Sequence, residues 1–136
     1  MAGRKPVDDT LCMAGQKSAF VAIVDDDELM RCALQGLLRE AGLPARAFAS
    51  AEEFLSSGLL SLVSCLIADI RMPGMSGLEL QARLNAEQVQ VPIIFITAHG
   101  DERARMQALK AGAAAFLAKP FDDEVLLRSV RAALEP

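Results

Sequence analysis

The sequence predicts an α/β domain built on a parallel sheet, and three observations carry that prediction. From Ala19 onward, short apolar runs alternate with helical patterns five times. The runs are continuously apolar, as in strands buried on both faces by covering helices. Four of the five runs end in, or one residue before, a polar residue, so chemistry gathers at one end of each strand.

"AFVAIVD" (19–25) is the first strand, rich in Val and Ile. Leu29, Ala33, Leu37 and Ala41 then recur every fourth residue, which predicts a helix buried along that stripe and closed by Gly42. "ARAFA" (45–49) is the second strand. Ser50 and Glu53 are spaced as a capping box, so a short helix runs from there to about Gly58. "CLIAD" (65–69) is the third strand, and the turn "MPGMSG" leads into a helix carrying Leu80 and Leu84. Pro92 opens the fourth strand, "IIFIT", because proline is tolerated where a strand begins. A helix from about Asp101 to Ala111 follows, closed by Gly112. "AAFLA" (114–118) is the fifth strand. The last helix carries Val125, Leu126, Ser129, Val130, Ala133 and Leu134 along one stripe. Residues 1–18 lack periodicity and are expected to form a mobile N-terminal tail, leaving 19–136 as one domain.

The chain has 136 residues, 52% of them hydrophobic, which suits one domain with a substantial core. Its net charge of -4 and lack of basic clusters argue against direct nucleic-acid binding. No run approaches the length of a membrane span, and no signal peptide is expected. Cys12, Cys32 and Cys65 are far apart and lack metal-ligand spacing, so reduced thiols in a cytoplasmic protein are expected, with Cys65 in the core.

Parallel strands joined by right-handed crossovers place their carboxyl ends on one edge, where open α/β sheets bind ligands. Asp25, Asp26, Asp69, Thr97 and Lys119 should therefore converge. Converging carboxylates repel one another, and a hard divalent cation relieves that repulsion. Magnesium fits best, because it needs few carboxylates. Lys119 supplies a compact positive charge for a phosphate oxygen and Thr97 a hydroxyl donor. A carboxylate nucleophile, a cation, an ammonium and a hydroxyl are the parts for phosphoryl transfer to an aspartate. Each residue alone has a plainer role: Asp25, Asp26 and Asp27 could begin a helix, Asp69 could be a turn residue, and Lys119 could be a solvated surface lysine. The joint pattern outweighs these.

Four segments, "IVDDD" (23–27), "ADIRMPGMSGLEL" (68–80), "ITAHGD" (96–101) and "KAGAAAFLAKPF" (110–121), stand in this order at strand ends. With them the sequence strongly resembles the receiver domain of two-component response regulators over about residues 19–135, nearest to the branch usually fused to helix-turn-helix output domains. The resemblance implies a flavodoxin-like, doubly wound five-stranded sheet of order 2-1-3-4-5 with five helices. It implies Asp69 as phosphoacceptor, and Mg2+ (or Mn2+) held by Asp25, Asp26, Asp69 and the backbone carbonyl of Arg71. Thr97, the amide of Ala98 and Lys119 would grip the phosphoryl group, and Phe116, where many relatives have tyrosine, would move with the switch. The Lys119–Pro120 bond would be cis. Arg71 and His99 would tune the lifetime of the acyl phosphate.

The implied phosphodonor is a sensor histidine kinase or a histidine phosphotransfer protein. The implied output surface is the fourth helix, fifth strand and fifth helix, where Asp101, Glu102, Arg103, Lys110 and Arg131 could pair across a homodimer. Such a protein is a switch with weak autophosphorylation and autodephosphorylation, not an enzyme in the ordinary sense. The competing enzyme reading is a magnesium-dependent aspartyl-phosphate phosphatase. It usually needs an acid two residues after the nucleophile, where this chain has Arg71. The same residues are also compatible with a binding module that has lost phosphorylation, or with the receiver portion of a DNA-binding regulator.

Overall fold

The computed structural model describes residues 19–98 and 102–135. The expected N-terminal tail, Cys12, His99 and Asp101 lie outside the described residues.

Five strands, β1 (Phe20–Val24), β2 (Ala45–Phe48), β3 (Val63–Asp69), β4 (Ile93–Thr97) and β5 (Ala115–Ala118), form one parallel sheet of order β2-β1-β3-β4-β5. Five helices alternate with them: α1 (Glu28–Glu40), α2 (Ala51–Leu55), α3 (Gly77–Ala86), α4 (Glu102–Lys110) and α5 (Asp123–Leu134). The expected order 2-1-3-4-5 and the doubly wound class are both observed.

Side chains alternate between the two faces of each strand. One row, including Ala22, Val24, Leu66, Ala68 and Phe95, packs with Phe54 of α2, Leu80 and Leu84 of α3 and Ala108 of α4. The opposite row, Val21, Ile23, Cys65, Ile67, Ile94 and Ile96, packs with Leu34 and Leu38 of α1 and Leu126 and Val130 of α5. All five residues of β1 are buried, which explains a continuous apolar run instead of an alternating one. The edge strand β5 is less covered.

Local chemistry sets the helix ends. Asp27, Ser50, Ser76 and Asp122 each accept a backbone N–H in the first turn of their helices, and Ser76 with Glu79 completes a capping box. Buried Gln81 of α3 donates from Nε2 to the carbonyl of Ala108 in α4 at 3.0 Å, and Asn85 Nδ2 donates to that of Ala111 at 3.1 Å. These bonds fix the carboxyl end of α4 against α3.

Three expectations need correction. In α1 the buried residues are Leu34 and Leu38, whereas Leu29 is 80% exposed and Ala33 is exposed. A strict four-residue spacing advances 400° per step, so a stripe counted that way drifts around the helix; Met30, Leu34, Leu37 and Leu38 follow the true period. The second helix ends at Leu55 with Ser56 as its cap, short of Gly58. The third strand begins at Val63, after a 3₁₀ turn over Leu60–Leu62 that pattern reading missed.

Candidate functional site

Register brings the polar strand ends together. Val24 pairs with Ala68, so Asp25 stands level with Asp69, and both continue the rows facing α1 and α5. Asp69 pairs with Ile96 and Thr97 with Ala118, which sets Thr97 and Lys119 at the same edge. The amide of Lys119 donates to the carbonyl of Thr97 at 2.7 Å, tying the last two strand ends together.

Carboxylate oxygens of Asp25, Asp26 and Asp69 lie within 4.8 Å of one another. Asp25, Asp69 and Thr97 are buried, and Asp26 faces solvent. The ammonium of Lys119 donates to Oδ2 of Asp69 at 3.0 Å and to Oδ2 of Asp25 at 3.4 Å. Oδ1 of Asp25 accepts from the amide of Asp27 at 2.9 Å, and Oδ1 of Asp69 accepts from the amide of Arg71 at 3.1 Å. Arg71 thus reaches the cluster through its backbone, while its residue surface is exposed. Burial pushes the carboxyl of Asp25 above its usual range, aided by the charge of Asp69 and opposed by the Asp27 amide and by Lys119. For Lys119, burial is the largest influence and acts downward. The hydrogen bond to Asp69 and the charges of Asp25 and Asp69 together outweigh it and raise the ammonium's pKa.

The chain after Asp69 is tightly constrained. A methyl group on Gly77 would be driven into the carbonyl oxygen of Asp69, with Cα of Ile70 at 3.1 Å. Gly74 has φ of +75°, a conformation open to glycine. Any Cβ there would meet Oε2 of Glu52 at 2.6 Å, an oxygen that accepts the amide of Met75 at 2.9 Å.

The structure therefore brings together Asp25, Asp26, Asp69 and Lys119, with Thr97 and exposed Ala98 at the adjoining strand end. Phe116 is partly buried on β5, its ring centroid 6.4 Å from that of Phe95. The Lys119–Pro120 peptide is cis. Sequence reasoning missed Arg31, whose Nη1 donates to the carbonyl of Asp25 at 2.7 Å, and the roles of Glu52 and Gly77. Arg31 follows the N-cap Asp27 by four residues, so a first-turn side chain able to reach back was the available signal.

The chemistry of the donor set suits a hard divalent cation: three carboxylates, all oxygen donors, partly buried at a sheet edge. No helix among the described residues is long and apolar enough to cross a membrane.

Comparison with known proteins agrees with this geometry. A family model described as "Response regulator receiver domain" matches residues 21–131. Nodulation protein W of Bradyrhizobium diazoefficiens is 48% identical over 86% of this chain and 52% of its own length. Response regulator protein TodT of Pseudomonas putida is 43% identical over 98% of this chain and 59% of its own length. The chain thus spans about half the length of the curated relatives it matches. Among solved structures, response regulator StyR superposes with a TM-score of 0.81 at 45% identity, covering 87% of this chain and 60% of its own. The crystal structure of FixJ-N superposes with a TM-score of 0.78 at 37% identity, covering 88% and 95%. Since the family match runs from the first strand into the last helix, and relatives this similar cover nearly the whole chain, the protein belongs to the receiver domains of two-component response regulators.

Proposed function

We propose that residues 19–136 form a receiver unit that accepts a phosphoryl group on Asp69. The observation that carries this reading is the position of Asp69: a buried carboxylate at a strand end, beside two more carboxylates and bonded to Lys119 at 3.0 Å. The donor is a histidine kinase or histidine phosphotransfer protein. Its P–N bond breaks as a carboxylate oxygen of Asp69 forms the new P–O bond, and the imidazole keeps the leaving electron pair. Lys119 then exchanges its carboxylate partner for a phosphoryl oxygen, while Thr97 and the amide of Ala98 supply further donors.

Asp25, Asp26, Asp69 and the carbonyl of Arg71 are the groups that would hold Mg2+, or Mn2+ in its place. The cation supplies charge that offsets carboxylate repulsion and stabilises the transferring phosphoryl oxygens. The added phosphoryl charge draws Thr97 inward and moves Phe116, altering the surface of α4, β5 and α5. On that surface Met106 is 61% exposed and Leu109 39%, apolar area suited to a partner or a second copy. Arg71 and His99 tune loss of the phosphoryl group by water, and the chain's own phosphorylation and dephosphorylation chemistry is weak. This unit does not itself read nucleic acid. The cytoplasm is the compartment in which such a phosphodonor and the free thiols of Cys32 and Cys65 fit together.

Intact mass spectrometry tests the reading. Incubation with a small-molecule phosphodonor should add one phosphoryl group, only with Mg2+, and none to Asp69→Asn. An adduct that persists in Asp69→Asn would overturn the assignment.

A further inference from the structure

Every polar group of Asp25 is engaged. Its amide donates to the carbonyl of Phe48 at 3.2 Å, Oδ1 accepts from Asp27, Oδ2 from Lys119, and its carbonyl accepts from Arg31 Nη1 at 2.7 Å. The next residue, Asp26, is the one exposed member of the cluster, and its carboxylate makes no hydrogen bond among the described residues. Among the described residues no hydrogen bond or ion pair fixes that side chain, so its place depends on the backbone it springs from. The carbonyl of Asp25 and the amide of Asp26 belong to one rigid peptide plane. A guanidinium holding that carbonyl therefore fixes the plane and the place of the Asp26 Cα at its far end, the point from which the carboxylate reaches its neighbours.

We infer that Arg31 is a positioning residue for cation binding, acting through the Asp25–Asp26 peptide to place the Asp26 carboxylate beside its neighbours. The inference rests on the reading of Asp25, Asp26 and Asp69 as a Mg2+ site. Its consequence has an unusual sign. Arg31 is a cation close to a cation site, so through charge alone its removal would tighten Mg2+ binding. Through position, its removal loosens Mg2+ binding, because supporting groups behind metal ligands typically contribute about tenfold or more to affinity.

The test is Mg2+ titration of the full chain by isothermal calorimetry, for the wild type, Arg31→Met and Arg31→Lys. Arg31→Met keeps the stem and loses both donor and charge. Arg31→Lys keeps a charge and a donor. A far-UV circular dichroism melt reports whether the methionine variant folds. The expected result is a dissociation constant raised roughly tenfold in Arg31→Met and less in Arg31→Lys. The Mg2+ concentration for half-maximal phosphorylation should rise by the same factor. Equal or tighter binding in Arg31→Met overturns the inference and leaves the receiver reading standing. Should that variant not fold, Arg31→Gln, whose amide is too short to hold the Asp25 carbonyl, takes its place, and an affinity equal to the wild type's there overturns the inference likewise. A wild type that binds no Mg2+ overturns both.

Discussion

Lys119 and Asp69, fifty positions apart in sequence, are joined by a 3.0 Å bond between Nζ and Oδ2, and the same ammonium lies 3.4 Å from Oδ2 of Asp25. The lysine and Asp69 side chains are only 16% and 12% exposed. One cation thus holds two carboxylates that would otherwise repel each other across neighbouring strands. Lys119→Met should leave both uncompensated. A buried pair broken on one side costs about 3–5 kcal/mol, and the open edge of this site places the loss toward the low end, roughly 3 kcal/mol in chelator. Phosphorylation should slow by about 10²-fold, the usual effect of removing one donor from a developing oxyanion. Urea denaturation and a mass-spectrometric time course check the two effects separately.

Asp25 predicts a pH dependence of the opposite kind. Burial raises its pKa above 3.8, so the folded state binds this proton more tightly than the unfolded chain does. Stability is therefore greatest with Asp25 protonated. It falls as pH rises from 3.8 through the raised folded value, and then stays level. Lys119 is raised too, so its contribution is complete below 10.5 and disappears as pH climbs through its folded pKa. Of these two groups, Asp25 is the one that carries a penalty near neutrality. Asp25→Asn, which can still accept the Asp27 amide, should melt at a higher temperature than the wild type in chelator at pH 7. The gain should vanish as pH approaches the ordinary carboxylate range. A lower melting temperature at pH 7 contradicts the assignment.

Two glycines make a paired prediction about the backbone. Gly77 opens α3 against the carbonyl of Asp69, where a methyl group has no room. Gly36 lies inside α1 with nothing within 4 Å of an added Cβ. Gly77→Ala should cost roughly 1–3 kcal/mol by overpacking and should shift the Asp69 strand end, slowing phosphorylation. Gly36→Ala should stabilise by about 0.5–1 kcal/mol, since alanine favours helix interiors. Equilibrium urea curves on both variants, with the phosphorylation rate of Gly77→Ala, decide the matter.

The contrast between these glycines bears on what a sequence discloses. Strand existence and order of elements were legible because a buried strand must be apolar and a helix end must be capped; Ser50 caps where expected. The convergence of Asp25, Asp69 and Lys119 was legible because parallel topology leaves the strand ends no other edge. The orientation of α1 was not. Leu29 and Leu34 are equally apolar in sequence, and only the three-dimensional seat of the helix decides that Leu34 packs into the core beneath the sheet while Leu29 faces solvent. Nor were Glu52 and Gly77 legible: each acts on the main chain of a residue elsewhere, and such contacts leave no residue-type signature, whereas Arg31 left only its spacing from the N-cap Asp27.

The two described thiols provide a last prediction, one that reports on the whole sheet. Cys32 is exposed on α1, whereas Cys65 is fully buried in β3 between the layers. Burial pushes the Cys65 thiol from 9.0 up to about 12. The folded protein therefore holds this thiol protonated and out of contact with solvent, away from a thiol reagent. In a Cys12→Ser, Cys32→Ser background, Cys65 should react with an aromatic disulfide only when the sheet opens. Its labelling should rise with urea along the slope of global unfolding, not of local fraying. The raised thiol also adds stability that is complete below pH 9.0 and is lost as pH climbs toward about 12. Fast labelling without urea would place Cys65 outside the core and contradict the packing of β3.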